Sequence, residues 1–419
     1  MIRAAIRAAT AAAVVLLLHA ATVMAQPAAP PQTQEDDYTR YELQAPGSGQ
    51  FRILYEVTAT RAGAPSFFNA IRKGSVATDE HVFDAATGQP LKWEVVSGAR
   101  ARAEGHPLAD LDTEWIKVHL ARPVPANGEA RVVIDKTYKD DKSYFRRGEL
   151  IVFDRSLGIR RNAVVLPSGY RLVSCNVPSQ VLATSDGRVM ITFQNPGPAA
   201  APLVVTAAPG LAPFTPAWPT QGPDTAWTGK RSPPDQLVDR AHQDHEAIYR
   251  LGAPETHTWE VERDYTERTV GETRYLHLFA GDGATPPIVR NLDTGATLAL
   301  ETATAADVNA PANGARTSDT NLRRVLVARF PSIQAGESIR LRVTDTMTNS
   351  RAYALDGDEL VFDQSVDFPR QTVLLPPGWT TVASAMPGVI DETADGRQRL
   401  VFENPRPDTM QLLIRARRR

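Results

Sequence analysis

Residues 166–170, LPSGY, recur 209 positions later as LPPGW at 375–379. They belong to a gapless match between residues 153–207 and 362–416, in which 20 of 55 positions are identical. The match also contains Asp-Gly-Arg at 186–188 and 395–397. So many identities in one register indicate that the chain contains an internal duplication.

The duplication extends towards the N-terminus, where YELQAP at 41–46 corresponds to YRLGAP at 249–254. We therefore divide the chain into two homologous units, residues 38–208 and 246–419, joined by a Pro-rich linker at 209–245. Seven prolines lie between positions 209 and 234 and favour extended chain in the linker. A short helix is predicted from Pro234 to Tyr249, because proline is well tolerated in a first helical turn.

The local pattern within each unit is that of β-structure. Apolar and polar residues alternate from Trp115 to Leu120, which places Ile116 and Val118 on one face of a strand. Asp-Gly pairs at 186–187 and 395–396 predict tight hairpins in which the glycine has a positive φ. Frequent prolines argue against long helices. We therefore predict an all-β fold of two tandem, homologous β-sandwich-like units.

The first 25 residues have the pattern of a secretory signal peptide. Arg3 and Arg7 precede a mostly apolar segment, and Val23-Met24-Ala25 supplies small residues at a cleavage site after Ala25. Residues 26–37 are predicted to form a flexible N-terminal segment. Because of this signal peptide we expect a periplasmic or secreted protein. No stretch of the mature chain approaches the roughly 20 apolar residues that a transmembrane helix requires.

The composition of the chain limits which classes of binding partner are expected. The 419 residues include 46 basic and 48 acidic side chains, for a net charge of −2, so no strong field favours nucleic acid. Arginine exceeds lysine, 39 to seven, which is typical of a GC-rich bacterial genome. Cys175 is the single cysteine, so the chain folds without an intramolecular disulfide. Its oligomeric state is left open.

The best binding candidates lie where the two units differ. Residues 135–147 are rich in charge, whereas the corresponding part of the second unit has far fewer charged residues. We interpret this stretch as a loop that either faces solvent or binds an envelope glycan, lipid or protein. Arginines that follow it would extend the basic surface. The candidate residues are Lys136, Tyr138, Lys139, Lys142, Tyr144, Arg146, Arg147, Arg155, Arg160 and Arg161.

Catalytic and metal motifs are missing. The sequence has no His-Glu-x-x-His, Gly-x-Ser-x-Gly, Walker loop or Gly-x-Gly-x-x-Gly. His242 and His245 would share a helix face and are the nearest approach to a metal pair, but an ordinary polar helix explains them equally well. Cys175 is interpreted as a structural thiol. We expect no cofactor.

One segment resembles a known family. LDTGATL at 292–298, followed by AGESI at 335–339, is similar to the β-rich N-terminal domain of gluzincin aminopeptidases. The resemblance covers less than half of one unit and includes no zinc motif. It implies an accessory role on the substrate side rather than a catalytic one.

Three functions remain open at this point. The first is an exported, non-catalytic binding protein that uses loops of the first unit. The second is an exported hydrolase whose carboxylates converge between the two units, because acidic residues are abundant. The third is an assembly component with an exposed apolar patch or strand edge. Since no catalytic motif is found, the sequence favours the first.

Overall fold

The computed structural model describes residues 32–184, 186–197, 199–212, 246–279, 286–304, 307, 324–366, 368–404 and 410–419. Regular structure in these ranges is almost entirely β-strand, beside a short α-helix at Gly98–Ala103 and a 3-10 turn at Pro254–Thr256. The all-β prediction is therefore confirmed. No helix within these ranges is both long and apolar enough to cross a bilayer.

The first half contains fourteen strands within the described ranges. In chain order they are β1 Gln34–Leu43, β2 Gln50–Ala59, β3 Ser66–Ala70, β4 Val76–Asp84, β5 Trp93–Ser97, β6 Glu114–His119, β7 Ala130–Lys139, β8 Tyr144–Arg147, β9 Leu150–Leu157, β10 Arg161–Val165, β11 Tyr170–Cys175, β12 Gln180–Ala183, β13 Val189–Gln194 and β14 Ala201–Pro209.

The second half contains the remaining strands of the described chain. They are β15 Glu246–Leu251, β16 Thr258–Glu267, β17 Arg274–Phe279, β18 Ile288–Asn291, β19 Ala296–Leu298, β20 Leu300–Thr302, β21 Arg324–Arg329, β22 Ile339–Thr348, β23 Tyr353–Asp356, β24 Glu359–Val366, β25 Arg370–Leu374, β26 Trp379–Ser384, β27 Val389–Glu392, β28 Gln398–Glu403 and β29 Met410–Arg418.

The two halves order these strands in the same way. Each half has a large sheet. Its order is β12-β13-β10-β1-β2-β7-β4 in the first half, and the corresponding order in the second half is β27-β28-β25-β15-β16-β22-β18, with β19 added beside β18. A four-stranded sheet, β11-β14-β9-β8, corresponds to β26-β29-β24-β23, and a three-stranded sheet, β3-β6-β5, corresponds to β17-β21-β20. Each large sheet contains one parallel pair, β1 with β10 and β15 with β25.

The repeated residues occupy matching positions in these sheets. Asn162 pairs with Phe193 in the first half, and Gln371 pairs with Phe402 in the second. Gly187 and Gly396 have φ values of +75° and +77°, as predicted for the two Asp-Gly hairpins. The repeated sequence therefore specifies the same register twice.

Each half has its own apolar core. In the first half one cluster joins Phe51 of the large sheet to Phe153 of the four-stranded sheet and Ile116 of the three-stranded sheet. Both small sheets therefore pack on the large one. The second half has a main cluster around Phe362 and a smaller one around Leu341. Among the described residues, no apolar cluster contains members of both halves.

Polar groups join the halves instead. Arg131 donates two hydrogen bonds to the Asp293 carboxylate, at 2.7 and 3.0 Å, and both side chains are buried. Arg340, which corresponds to Arg131, lies 3.3 Å from the buried Glu129. The backbone N–H of Glu129 donates to the carbonyl of Leu292 at 2.7 Å. The contact therefore consists largely of hydrogen bonds and ion pairs.

Two glycines allow this close approach. A Cβ atom on Gly128 would lie 2.2 Å from the carbonyl oxygen of Leu292, and one on Gly88 would lie 2.5 Å from that of Gly336. Gly88 also has a φ of +67°. These turns therefore need glycine because the backbone of the other half lies against them.

Several boundaries differ from those predicted. Strand β1 begins at Gln34, so residues 34–37 belong to a strand rather than to the flexible N-terminal segment. Strand β15 covers Glu246–Leu251, where the predicted helix was to continue to Tyr249. The signal peptide at 1–25 and most of the linker, 213–245, lie outside the described residues.

Candidate functional site

The candidate site is built on the turn that follows β7. Asp140 directly follows the strand, and its carboxylate accepts hydrogen bonds from the backbone N–H groups of Lys142 at 3.1 Å and Ser143 at 3.2 Å. The Ser143 hydroxyl donates to the same carboxylate at 2.7 Å. This arrangement is the local turn that Asp favours, so the sequence itself fixes the path of the loop.

Arg155 fixes the turn from the inside. Its guanidinium lies 3.2 Å from the Asp140 carboxylate, and both side chains are buried. The same guanidinium faces the rings of Tyr41, Phe51 and Tyr138, at 5.9, 5.5 and 5.8 Å from their centroids. Burial raises the pKa of Asp140, but its hydrogen bonds and Arg155 together outweigh burial and hold that pKa below its usual value.

Strands β8 and β9 form a hairpin that places the next residues of the site at the surface. Tyr144 points inwards, is fully buried and donates from its hydroxyl to the carbonyl of Gln44 at 3.0 Å. Arg146 and Arg147 follow it and are exposed, and the Arg147 guanidinium lies 5.7 Å from the Phe145 ring centroid. The Arg146 side chain lies over Gly47 in the turn between β1 and β2.

Four of the predicted binding residues are exposed, and we refer to them together as the cationic face: Lys139, Lys142, Arg146 and Arg147. None of them forms an ion pair with a carboxylate of the described chain. At the corresponding positions of the second half stand Thr348, Arg351, Leu355 and Asp356.

The other predicted binding residues lie elsewhere. Tyr138, Tyr144, Arg155 and Arg161 are buried. Lys136 is also buried, and its ammonium group lies 2.5 Å from the Asn69 side-chain oxygen and 4.9 Å from the Tyr138 ring centroid. Burial lowers the pKa of Lys136 to about 7. Residues 135–139 belong to strand β7 and residues 144–147 to strand β8, so only residues 140–143 of the predicted loop lie outside strands.

Arg160 is exposed but lies outside the cationic face. It forms an ion pair at 3.0 Å with Glu246 of the second half. Four carboxylates lie at the polar contacts between the halves, those of Glu129, Asp293, Glu246 and Glu403. The first three contact arginines, and Glu403 contacts the amide of Gln194. These contacts were not predicted from the sequence, because it does not encode how the halves face each other.

A shallow cleft on the three-stranded sheet of the first half was also missed. It has a volume of about 650 Å³ and is lined by Leu91, Lys92, Trp93, Glu94 and His119. Two nitrogens of Arg100 already donate to Glu94, at 2.8 and 3.0 Å, and His119 lies 3.3 Å from it. The one carboxylate in the cleft is therefore occupied by the protein's own groups.

His242 and His245 lie outside the described residues. Within the described chain, no three His, Cys, Asp or Glu side chains come close enough to hold a metal ion. The Cys175 sulfur lies 3.2 Å from the Ser179 hydroxyl and 3.5 Å from the carbonyl of Val177, and no basic group contacts it among these residues.

Comparisons with known proteins give distant structural likeness alone. No family model matches the chain, and no curated protein matches it. An M1 zinc metallopeptidase from Deinococcus radiodurans is similar with a TM-score of 0.29 and 12% identity, over 44% of this chain and 44% of that one. An aminopeptidase N family protein from Idiomarina loihiensis has a TM-score of 0.25 and 11% identity, over 41% of this chain and 29% of that one. This chain spans less than half the length of either protein.

Proposed function

We propose that this protein is an exported, non-catalytic binding protein that holds an anionic partner of the cell envelope or extracellular medium on its cationic face. The observation that carries the proposal is the set of four exposed basic side chains, Lys139, Lys142, Arg146 and Arg147, without ion-pair partners in the described chain. Anions attract such side chains most where no carboxylate of the protein already neutralises them.

The rigidity of the underlying turn supports the proposal. Asp140, Ser143 and Arg155 fix the loop through buried hydrogen bonds. The hairpin that carries Arg146 and Arg147 is fastened by the Tyr144 hydroxyl. A surface held in this way loses little conformational entropy on binding. The corresponding hairpin of the second half carries Leu355 and Asp356 instead.

The test is a binding titration of the mature chain against three anionic probes: polygalacturonate, phosphatidylglycerol vesicles and poly-glutamate. Neutralising the cationic face in K139Q/K142Q/R146Q/R147Q should weaken binding at least tenfold and flatten its dependence on salt. The matched control is R415Q/R417Q/R418Q/R419Q, which removes the same charge from arginines that are already paired. Equal loss in both variants, or no loss in the first, contradicts the proposal.

Export is a separate part of the proposal. The basic n-region, the apolar segment and the small residues before Gln26 support cleavage after Ala25. N-terminal sequencing of protein recovered from the periplasm or the medium should begin at Gln26. An uncleaved chain that stays in the cytoplasm contradicts it.

The alternative is a hydrolase that works between the halves. Glu246 and Glu403 favour it, because their environments move their pKa values in opposite directions. Against it, Glu246 is held by Arg160 and Arg370. Release of reducing ends from a polysaccharide panel, lost in E246Q, would establish the hydrolase; no release by the wild-type chain removes it.

A further inference from the structure

The contacts between the two halves are reciprocal. Arg340 corresponds to Arg131, and two residues before these arginines stand Ser338 and Glu129. Arg131 donates to the carbonyl of Ser338 at 3.3 Å, and the Arg340 guanidinium lies 3.3 Å from the Glu129 carboxylate. The same two positions therefore meet twice, once in each direction, as they do in a dimer with a two-fold axis.

The turns of the two halves follow the same rule. The backbone N–H of Glu129 donates to the carbonyl of Leu292 at 2.7 Å, and the Ser338 hydroxyl donates to the carbonyl of Ala85, also at 2.7 Å. Ala85 and Leu292 occupy the second position of the repeated turns DAATG and NLDTG. Each half therefore offers this turn to the residue that lies just before β7 or β22 of the other half.

The glycines of the turns repeat the pattern. A Cβ atom on Gly88 would lie 2.5 Å from the carbonyl oxygen of Gly336, and one on Gly128 would lie 3.0 Å from the Cα of Gly295. Gly88 and Gly295 are counterparts, as are Gly128 and Gly336. Close backbone approach is thus present on both sides of the contact, between the same two kinds of turn.

One position contacts its own counterpart, which occurs in a dimer only beside the two-fold axis. Gln194 and Glu403 stand 209 residues apart at the same position of the repeat. With its amide nitrogen turned towards Glu403, Gln194 donates to both carboxylate oxygens, at 2.5 and 3.2 Å. The halves are therefore arranged as the two subunits of a dimer, about an axis that passes between β13 and β28.

The charges at the contact distinguish one half from the other. Three positions that are uncharged in the first half carry acids in the second, where Asp293, Glu246 and Glu403 replace Ala86, Tyr38 and Gln194. Arg160 pairs with Glu246 at 3.0 Å, and its counterpart is Pro369. Two second halves would place Glu403 against Glu403, and two first halves would place a tyrosine opposite Arg160. Complementary charge thus favours one first half with one second half.

We propose that this contact is a dimer interface carried within one chain, and that a second copy of this chain can complete it. The first half of one copy then binds the second half of the other, and the two copies together form two such contacts. Exchange of this kind needs halves that fold around separate cores, and no apolar cluster of the described ranges includes members of both.

The connection between the halves permits both arrangements. Residues 213–245 could span roughly 100 Å if fully extended, so their length does not restrict a half to its own copy. Joined halves face each other at an effective concentration on the order of millimolar. The wild-type chain should therefore close its own contact in dilute solution, and exchange should dominate where that contact is broken.

The experiment breaks the contact within each copy and leaves it possible between copies. In full-length R131D an acid faces Asp293, and in full-length D293R an arginine faces Arg131. Neither variant can form the buried ion pair alone. In a mixture, Arg131 of one copy meets Asp293 of the other, and the two introduced residues meet in the second contact.

We expect each variant to be monomeric by light scattering. The equimolar mixture, unfolded in urea and refolded together, should give a dimer with one copy of each. A tag on R131D should retain at least tenfold more D293R than wild-type chain. The matched control is R131D/D293R in a single chain, which restores the pair within the copy and should remain monomeric.

A second measurement keeps the test decisive if the reversed charges prevent folding. A protease site is inserted after Gly222 of the otherwise unchanged chain, and the cut protein is passed over a sizing column. The two halves should stay together at micromolar concentration. Halves that separate there overturn the proposal, as does a mixture that stays monomeric although both variants keep the circular dichroism of the wild type. Equal dimerisation of either variant alone also overturns it, because that dimer would not use this contact.

Discussion

The hairpin formed by β8 and β9 and the one formed by β23 and β24 are alike inside and different outside. Tyr144 lies opposite Phe153 in one, and Tyr353 lies opposite Phe362 in the other. All four side chains are fully buried. The two tyrosine hydroxyls donate to equivalent backbone carbonyls, at 3.0 and 2.6 Å.

The charged residues on the outer surfaces of the two hairpins differ: the first hairpin carries arginines, and the second carries carboxylates. Arg146 and Arg147 have no carboxylate partner among the described residues. In the second hairpin Asp356 pairs with Arg415 at 2.5 Å, and Glu359 pairs with Arg415 and Arg417 at 2.6 and 2.8 Å. The residues kept in both copies are those that fold the hairpin. Those that differ decide what its surface attracts.

The largest effects on stability are expected at the buried aromatic positions that the two hairpins share. F153A and F362A each remove a fully buried ring and should each lower the free energy of unfolding by about 3–5 kcal/mol. Urea unfolding followed by tryptophan fluorescence measures both. Costs that differ severalfold between the two sites would break the equivalence of the halves.

The next largest effects on stability are expected at Arg131 and Arg340, which occupy corresponding positions in the contact between the halves. R131A leaves the buried Asp293 without its ion pair, and R340A does the same to Glu129. Each change should lower the free energy of unfolding by about 3 kcal/mol. The exposed pair between Arg418 and Glu255 supplies the control, because E255Q removes only this surface ion pair and should leave the unfolding curve nearly unchanged. A neutral R131A would mean that the halves do not depend on this pair.

A third prediction uses one position that carries opposite charges in the two copies. Lys136 corresponds to Asp345, which lies 3.3 Å from His277 and also pairs with Arg263. The native pKa of Lys136 is about 7, below its ordinary value of 10.5. Between these values the unfolded chain binds a proton that the native chain does not, so this group makes stability rise with pH.

The measurement is the free energy of unfolding of the wild type and of K136M from pH 6.5 to pH 10. The wild-type lysine should give a slope of up to about 1.4 kcal/mol per pH unit, which K136M should lack. A slope that survives the substitution would show that Lys136 is charged in the native state.

The smallest effect on stability is expected on the surface. Exchanging Arg146 and Arg147 for the residues of the second hairpin, R146L/R147D, should change the free energy of unfolding by less than about 0.5 kcal/mol. The same variant should bind polygalacturonate more weakly. Thermal melts and a titration measure the two effects. A large loss of stability would assign the arginines a folding role.

Much of the fold was predictable from local pattern. The duplicated register, the Asp-Gly hairpins and the strand around Ile116 follow from short-range sequence, and the structure has them. The residues on the buried face of β7 could also have been predicted from the alternation of its sequence. Lys136 stands two residues from Ile134 and two from Tyr138, on the face that alternation buries, although a lysine in such a run first suggests solvent.

The rest depends on long-range geometry. Nothing near Glu246 in the sequence indicates that Arg160 will lie against it, because their meeting depends on how two separately folded halves face each other. Gly88 and Gly128 were readable as turns. That they also make room for the backbone of the other half follows from the structure alone.

The central claim is that the cationic face binds an anionic partner because no carboxylate of the described chain neutralises its charges. The most direct measurement gives the second hairpin the same chemistry, with L355R/D356R introduced into the K139Q/K142Q/R146Q/R147Q variant. Polygalacturonate affinity is then titrated at several salt concentrations. The account predicts that part of the lost affinity returns, with a steeper dependence on salt. Full affinity in the quadruple variant before the second change would contradict it.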